Sequence, residues 1–191
     1  MKIGYSVEGS TDRALLEGLR QRWCPHAQLV EGHFRGTTAQ SRRREIPRIC
    51  LELQNQGVQC IIFLTDSNEA EWREIMRAEE ARSRPEHQHI TVFGVCLRNV
   101  ECWLAADADH IAKHFKRSRH EFAIDDPKGV VEAAFGVTAD DMKEPEIAMF
   151  VLGAPLRHWL NNPSFEHFYD ALRRKSRELG CQIENLRETT R

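Results

Sequence analysis

The apolar positions of this 191-residue chain fall into short runs separated by segments with helical spacing. The unbroken run 60–64 is the strongest of them, and its character is typical of a strand buried on both faces of a parallel sheet. Three weaker runs resemble it, so the pattern predicts four strands, over residues 3–7, 27–34, 60–64 and 90–97.

The segments between and after these strands place apolar residues three and four positions apart, which predicts amphipathic helices. Pro25 and Gly57 are suited to end the first two helices. Asn162 is suited to cap the last helix. The predicted helices cover residues 10–23, 41–56, 69–84, 101–115, 129–135, 144–152 and 164–179.

Strands that alternate with helices indicate βαβ units and therefore a parallel sheet. The strand signal ends near residue 120, and only helical patterns follow. We therefore predict a Rossmann-like α/β domain over residues 1–120, with a helical C-terminal extension over residues 121–191 packed on it. A chain of this length suits one domain with such an extension.

Composition limits the partners and the cellular compartment that we expect for the protein. With 27 basic and 29 acidic residues the net charge is −2, so any nucleic-acid surface must be local. No apolar run approaches the roughly 20 residues of a membrane span, and no signal-peptide pattern is visible. The six cysteines form no C-x-x-C pair. We expect reduced, mostly buried thiols in a cytoplasmic protein without a membrane partner.

Acidic residues follow three of the predicted strands. Glu8 and Asp12 come after the first strand, Asp66 after the third and Glu101 after the fourth. The carboxyl ends of parallel strands meet at one edge of a sheet, where ligands gather. Carboxylates there suit Mg²⁺ or Mn²⁺. The alternative for each is a structural acid in a turn or in the first turn of a helix.

Three of these segments resemble the motifs of Toprim domains, the fold shared by topoisomerases, bacterial primases and overcoming-lysogenization-defect (OLD) nucleases. Residues 7–12 resemble the Toprim glutamate motif, and residues 64–68 stand where those domains have Asp-x-Asp. Residues 101–107 resemble the E-x-W-x-x-A-D signature of small Toprim-related proteins, often encoded beside ATPases in bacterial defence loci. Residues 126–128 and 162–165 resemble the C-terminal region of that family.

The resemblance implies a Toprim-like fold and a Mg²⁺- or Mn²⁺-dependent endonuclease that cleaves or nicks DNA, with RNA a weaker candidate. It implies an effector subunit of an anti-phage system, working with an ABC- or AAA-type ATPase. The implied catalytic residues are Glu8, Asp12, Asp66 and Glu101. The implied metal ligands are Glu8, Asp66, Asn68 and Glu101.

The sequence departs from the Toprim pattern at Asn68, which replaces the second aspartate of Asp-x-Asp. An asparagine carbonyl can bind a hard cation but adds no charge, so Glu69 or Glu101 would have to supply it. The departure leaves open an alternative from another class. In that alternative the chain is a non-catalytic binding or assembly subunit that docks on an ATPase or a nucleic acid.

The densest basic stretch is the first choice for a nucleic-acid surface, since arginine binds phosphates bidentately. Its alternative is a solvated helix face. No P-loop pattern is present, so an ATPase would have to be a separate partner. A homo-oligomer is left open, and a zinc site at Asp107, His110 and His114 is not favoured. The basic residues are Arg35, Arg42, Arg43, Arg44 and Arg48.

Overall fold

Four parallel strands form one sheet in the order β2-β1-β3-β4. The computed structural model describes residues 1–36, 38–68, 70–119, 126–135 and 144–187. The parallel pairing of neighbouring strands confirms the predicted α/β, Rossmann-like class. The strands are β1 Lys2–Ser6, β2 Gln28–Glu31, β3 Cys60–Asp66 and β4 Thr91–Cys96.

Helices cover both faces of the sheet. Among the described helices, none combines the length and the apolar character that a membrane span requires. A 3-10 turn at Trp159–Asn161 leads into the last helix. The helices are α1 Ser10–Trp23, α2 Ala39–Asn55, α3 Trp72–Glu80, α4 Pro85–Gln88, α5 Glu101–Leu104, α6 Ala108–Phe115, α7 Pro127–Phe135, α8 Glu144–Gly153 and α9 Pro163–Glu178.

Two predicted helices are divided in the structure. The helix expected over residues 101–115 breaks because Asp107 leaves the helical conformation, and its carboxylate caps α6 by accepting the N–H of His110. The helix expected over residues 69–84 ends at Glu80, and Pro85 then begins α4 at a position that proline favours. Glu69, and the predicted domain boundary at residues 120–121, lie outside the described residues.

Side chains alternate along β3 between two hydrophobic cores. Ile61 and Phe63 belong to the core under α2 and α3. Ile62 and Leu64 belong to the larger core, which also contains buried aromatic residues of α8 and α9. The C-terminal helices therefore share a core with the sheet on the face that also carries α1.

Close packing between α1 and α8 depends on Gly18. A Cβ atom there would lie 2.5 Å from the carbonyl oxygen of Ala148 and 2.6 Å from Cβ of Val151. Any side chain at this position would force the two helices apart. Glycine therefore lets α8 lie against the helix that carries Asp12.

The hydroxyl of Ser164 joins the end of β4 to α9. Its Oγ accepts the backbone N–H of Leu97 at 2.9 Å and the indole N–H of Trp103 at 2.8 Å. It also lies 2.9 Å from Oδ1 of Asn162, to which it donates. Both Ser164 and Trp103 are buried, so this network satisfies polar groups that water cannot reach. It fixes α5, the short helix that begins with Glu101.

The expectation of reduced thiols is wrong for one pair of cysteines. Cys24 and Cys181 form a disulfide between residues 157 positions apart. The bond ties the end of α1 to the segment that follows α9. The spacing of cysteines along the chain carries no signal for it, because only the tertiary fold brings the two residues together. The free cysteines of the described chain are Cys50, Cys60, Cys96 and Cys102.

Ser164→Ala should destabilise the protein by about 2–4 kcal/mol, because two buried N–H groups would lose their acceptor. The matched control is Ser176→Ala, also buried on α9. Its hydroxyl bonds only to the carbonyl oxygen of Leu172 in its own helix, so its removal should cost under about 1 kcal/mol. Urea unfolding monitored by circular dichroism measures both values. Equal losses in the two variants would contradict the role given to Ser164.

Candidate metal centre at the carboxyl edge of the sheet

The strand order places a crevice between the carboxyl ends of β1 and β3. β1 lies between β2 and β3, so the connections that leave these strands diverge at this point. Open α/β sheets bind ligands at such a switch point. Glu8 follows β1 and Asp66 ends β3, and the backbone N–H of Asp66 donates to Oε1 of Glu8 at 3.4 Å. Two of the predicted site residues therefore meet at the crevice.

Asp12 lies in the first turn of α1 and is 3% exposed. Its Oδ2 accepts the backbone N–H of Gly9 at 2.8 Å, which is the capping role considered from the sequence. Its other oxygen, Oδ1, is buried and accepts no hydrogen bond from the described residues. Oδ1 of Asp66 is likewise buried and accepts no hydrogen bond from them. Buried carboxylate oxygens are normally satisfied, so two orphaned oxygens on acids whose carboxylates lie within 4.8 Å of each other indicate a place for a cation.

Cys96 completes the closest group of ligand atoms. It ends β4 and is the register partner of Asp66, so both side chains lie on the same face of the sheet. One ligand atom from each of Asp12, Asp66 and Cys96 lies within 4.8 Å of the other two. The sequence analysis missed this cysteine, because its place in the site follows from the pairing of β3 with β4.

Charge is poorly tolerated at this edge of the sheet. Burial, followed by the charges of Glu8 and Glu101, raises the pKa of Asp66 to about 7. Burial and then the charge of Asp66 raise the pKa of Asp12 well above its ordinary value. Burial also raises the pKa of Glu101, which is 8% exposed in the first turn of α5. Without a cation, these carboxyl groups retain protons at a pH where ordinary carboxylates are ionised.

Asn68 differs in position from these acids. It is exposed, in the left-handed conformation with φ +53°, which asparagine tolerates better than most residues. Its backbone N–H donates to the carbonyl oxygen of Arg98 at 2.7 Å, so the turns after β3 and β4 are joined. Its role as a metal ligand stays a prediction.

The basic stretch meets the acids through Arg42. Its Nη1 lies 2.8 Å from Oε2 of Glu8, and both side chains are less than one-fifth exposed. Arg42 and Glu8 line a cavity of about 550 Å³ that extends to the N-terminus of α1 at Gly9 and Ser10. The guanidinium of Arg42, the N-terminus of α1 and the carboxylate of Glu8 thus line one opening. This arrangement is suited to a phosphate that binds beside a metal ion.

The other predicted phosphate contacts have different surroundings. Arg48 pairs with Glu45 and Glu52 at 2.5 Å each, which ties it to its own helix. Arg35 lies 3.9 Å from Glu52. Arg44 is exposed. The charge of Arg43 acts on Glu79, so Arg43 lies near the acid edge together with Arg42.

A buried glutamate on α3 was also missed. Glu79 is 4% exposed, its Oε2 has no partner among the described residues, and a hydrogen bond with Thr65 lowers its pKa. Burial outweighs that bond and raises the pKa to about 7. The signal was present in the sequence, since Glu79 follows Trp72 and Met76 at helical spacing on the buried face.

Asp107 contributes to the scaffold of the protein. Its Oδ2 lies 2.5 Å from Nδ1 of His158, while its Oδ1 caps α6. The rings of His110 and His114 pack against Phe150.

The carboxyl edge therefore collects Glu8, Asp12, Asp66 and Glu101, the four acids named from the sequence. Besides burial, the charges of Glu8 and Glu101 raise the pKa of both Asp12 and Asp66, and the charge of Asp66 also raises the pKa of Asp12. Burial raises the pKa of Glu101 as well. No family model matches this chain, and no match was found among curated proteins or solved structures.

Asp66→Asn should change how stability depends on pH. The folded-state pKa of Asp66, about 7, exceeds the unfolded value of about 3.9, so the native state binds the extra proton between these values. Stability should fall as pH rises through that range, and the amide should remove this loss. In chelator, the variant should gain on the order of 2–4 kcal/mol over wild type at pH 8, and little at pH 4.

Urea unfolding at the two pH values measures this gain. Asp109→Asn is the matched control, because Asp109 is exposed on α6 and the substitution should leave the pH dependence unchanged. Parallel stability curves for wild type and Asp66→Asn would show that Asp66 is an ordinary surface carboxylate.

Proposed function

We propose that this protein is a metal-dependent nuclease of Toprim type that cleaves or nicks DNA. The observation that carries the proposal is the pair of buried, unpartnered oxygens of Asp12 and Asp66 at the switch point of the sheet. A purely structural site would pair such oxygens with donors of the protein. Oxygen ligands of this kind suit Mg²⁺ or Mn²⁺, so the donor set fits the proposed cofactor.

Asp12 and Asp66 hold the cation in this proposal, and Glu101 adds negative charge beside them. Asn68, on the exposed turn after β3, stays a predicted further ligand. A divalent ion held by these residues would supply Lewis-acid chemistry, which activates water and offsets negative charge on a phosphate. The raised pKa of Asp66 means that cation binding displaces protons, which makes binding stronger as pH rises.

Arg42 and Glu8 have different roles toward the substrate: Arg42 binds a phosphate and Glu8 accepts a proton. The guanidinium can exchange its contact with Glu8 for a bidentate contact with a phosphate in the adjoining cavity. That exchange would free the carboxylate of Glu8. Glu8 could then act as the general base that accepts a proton from the attacking water. Arg43 adds positive charge next to this pair.

The place of the protein in a larger system rests on the sequence resemblance. Toprim-related proteins with the E-x-W-x-x-A-D signature are often encoded beside ATPases in bacterial defence loci, so we propose an ABC- or AAA-type ATPase as the partner. The chain would be the effector subunit of an anti-phage system in the cytoplasm. The absence of a P-loop pattern agrees with ATP hydrolysis by a separate chain.

One observation favours a second candidate function, a non-catalytic subunit that docks on an ATPase or a nucleic acid. Asn68 stands where Toprim enzymes have an aspartate, and it lies exposed on a turn. If the cation site needs that missing charge, the fold would bind without cleaving.

Asp12→Asn and Asp66→Asn should each abolish metal-dependent cleavage of supercoiled plasmid DNA. The amide neutralises a ligand charge, so a loss of at least about a hundredfold is expected. Gel electrophoresis with Mg²⁺ or Mn²⁺ measures nicked and linear products. Glu86→Gln is the matched control, since this exposed acid of α4 lies before β4 at the opposite edge of the sheet, and it should cleave as wild type does.

Two outcomes would overturn the nuclease proposal. Activity that survives in both variants would belong to another site or to a contaminant. A wild-type protein that cleaves with neither metal, even when the partner ATPase is added, would favour the non-catalytic subunit.

Arg42→Ala should weaken DNA binding and lower the slope of log affinity against log salt by about 1, as expected for one lost phosphate contact. Fluorescence anisotropy with a labelled duplex in Ca²⁺ measures the slope without turnover. Arg84→Ala, an exposed arginine beside Glu86, should leave the slope unchanged. An unchanged slope in Arg42→Ala would confine this arginine to its ion pair with Glu8.

A further inference from the structure

Cys96 lies inside the cation site, in a position that its strand fixes. It follows Val95 at the end of β4, opposite Asp66 across the parallel pair, and its side chain is fully buried. Neighbouring strands are about 4.8 Å apart, so residues in register on one face present their side-chain atoms to the same point. Asp12 reaches that point from the first turn of α1, and the three ligand atoms lie within 4.8 Å of one another.

A cation at this point would meet two carboxylate oxygens and one sulfur. Mg²⁺ prefers an all-oxygen shell and rarely accepts sulfur, whereas first-row transition ions from Mn²⁺ to Zn²⁺ accept both. Asp12 and Asp66 each also have one oxygen, Oδ1, that is buried and without a donor in the described part of the chain. These unpartnered oxygens are an observation independent of the cysteine, and they favour a cation by themselves.

We propose that Cys96 is a metal ligand, and that it makes the site select a sulfur-accepting transition ion over Mg²⁺. The inference rests on the cation site of the proposed function and specifies its metal. Sulfur in the site would bind as the thiolate, with its proton released to solvent when the ion enters. Such a site would remain loaded in the presence of excess Mg²⁺.

Among the described residues, the other free cysteines do not lie at metal-ligand spacing from two carboxylates, although the charges of Glu101 and Asp66 also act on Cys102. Cys60 is equally buried but begins β3, so it lies at the opposite end of the sheet from Asp66. Cys102 contacts the side chain of Asn99. Cys24, His26 and Cys181 form a second group with metal-ligand spacing, but the disulfide between the two cysteines occupies both sulfurs. Of the free cysteines described, Cys96 is the one grouped with carboxylates.

Co²⁺ is the probe that tests the assignment, because sulfur bound to cobalt gives a charge-transfer band in the near ultraviolet that oxygen ligands do not give. The 191-residue protein with its disulfide closed is titrated with Co²⁺. The band should appear in wild type and in the matched controls Cys60→Ser and Cys102→Ser. It should be absent in Cys96→Ser, whose Co²⁺ affinity should fall by about tenfold or more.

A measurement on wild type alone protects the test against a variant that fails to fold. Zn²⁺ should abolish the cobalt band at about equal concentration, whereas Mg²⁺ should need a large excess. A band that persists in Cys96→Ser, a band that Mg²⁺ removes as readily as Zn²⁺, or its absence in wild type would each overturn the proposal.

The outcome is separable from that of the nuclease proposal. Mg²⁺-dependent cleavage without a cobalt–sulfur band would leave the nuclease intact and remove only the thiolate ligand. A band in a protein that cleaves no DNA with any metal would establish the ligand and remove the nuclease.

Discussion

The rest of the structure has to hold a group of acidic side chains in a buried position at the carboxyl edge of its sheet. Asp12 is almost fully buried and Asp66 largely so, and each leaves one oxygen without a donor in the described structure. Burying a carboxylate without a partner costs more free energy than almost any other single feature of a fold. The pKa of each acid rises in response, so these groups hold a proton up to a higher pH than ordinary carboxylates do. Such unfavourable burial is characteristic of functional sites, where the surrounding scaffold holds it in place.

That scaffold consists of contacts well away from the acids. Gly18 allows α8 to approach α1, which carries Asp12, and the hydroxyl of Ser164 ties the end of β4 to α9. The two faces of the sheet then supply different groups. Asp66 and Cys96 extend from the face of the larger core, while Thr65 points to the opposite face and bonds Glu79. Since Glu8 meets both the backbone of Asp66 and the guanidinium of Arg42, it lies where the two sets of groups join.

Much of this arrangement could be predicted from the chain. The apolar runs locate all four strands, and a parallel sheet necessarily brings Glu8, Asp66 and Glu101 to one edge. The place of Cys96 in the site could not be predicted, because it depends on the register between β3 and β4, which puts Cys96 opposite Asp66. The disulfide has the same origin, since it joins residues 157 positions apart. A local pattern also gave a wrong helix boundary. Apolar residues continue at helical spacing across Asp107, which predicted one helix, but the Asp107 carboxylate caps a new helix there.

The E-x-W-x-x-A-D segment shows how one short motif combines site and scaffold. Glu101 lies buried beside Asp66 and raises its pKa. Trp103 donates to Ser164 and stacks on Phe168, with ring centroids 5.3 Å apart, which fixes the helix that carries Glu101. Asp107 ends that segment by capping α6 and binding His158. One acid of the motif therefore belongs to the group of buried acids at the carboxyl edge, and the other belongs to the framework. A carboxylate in this segment thus reveals its role only through what surrounds it: Glu101 is buried next to other acids, whereas Asp107 has a donor on each of its oxygens.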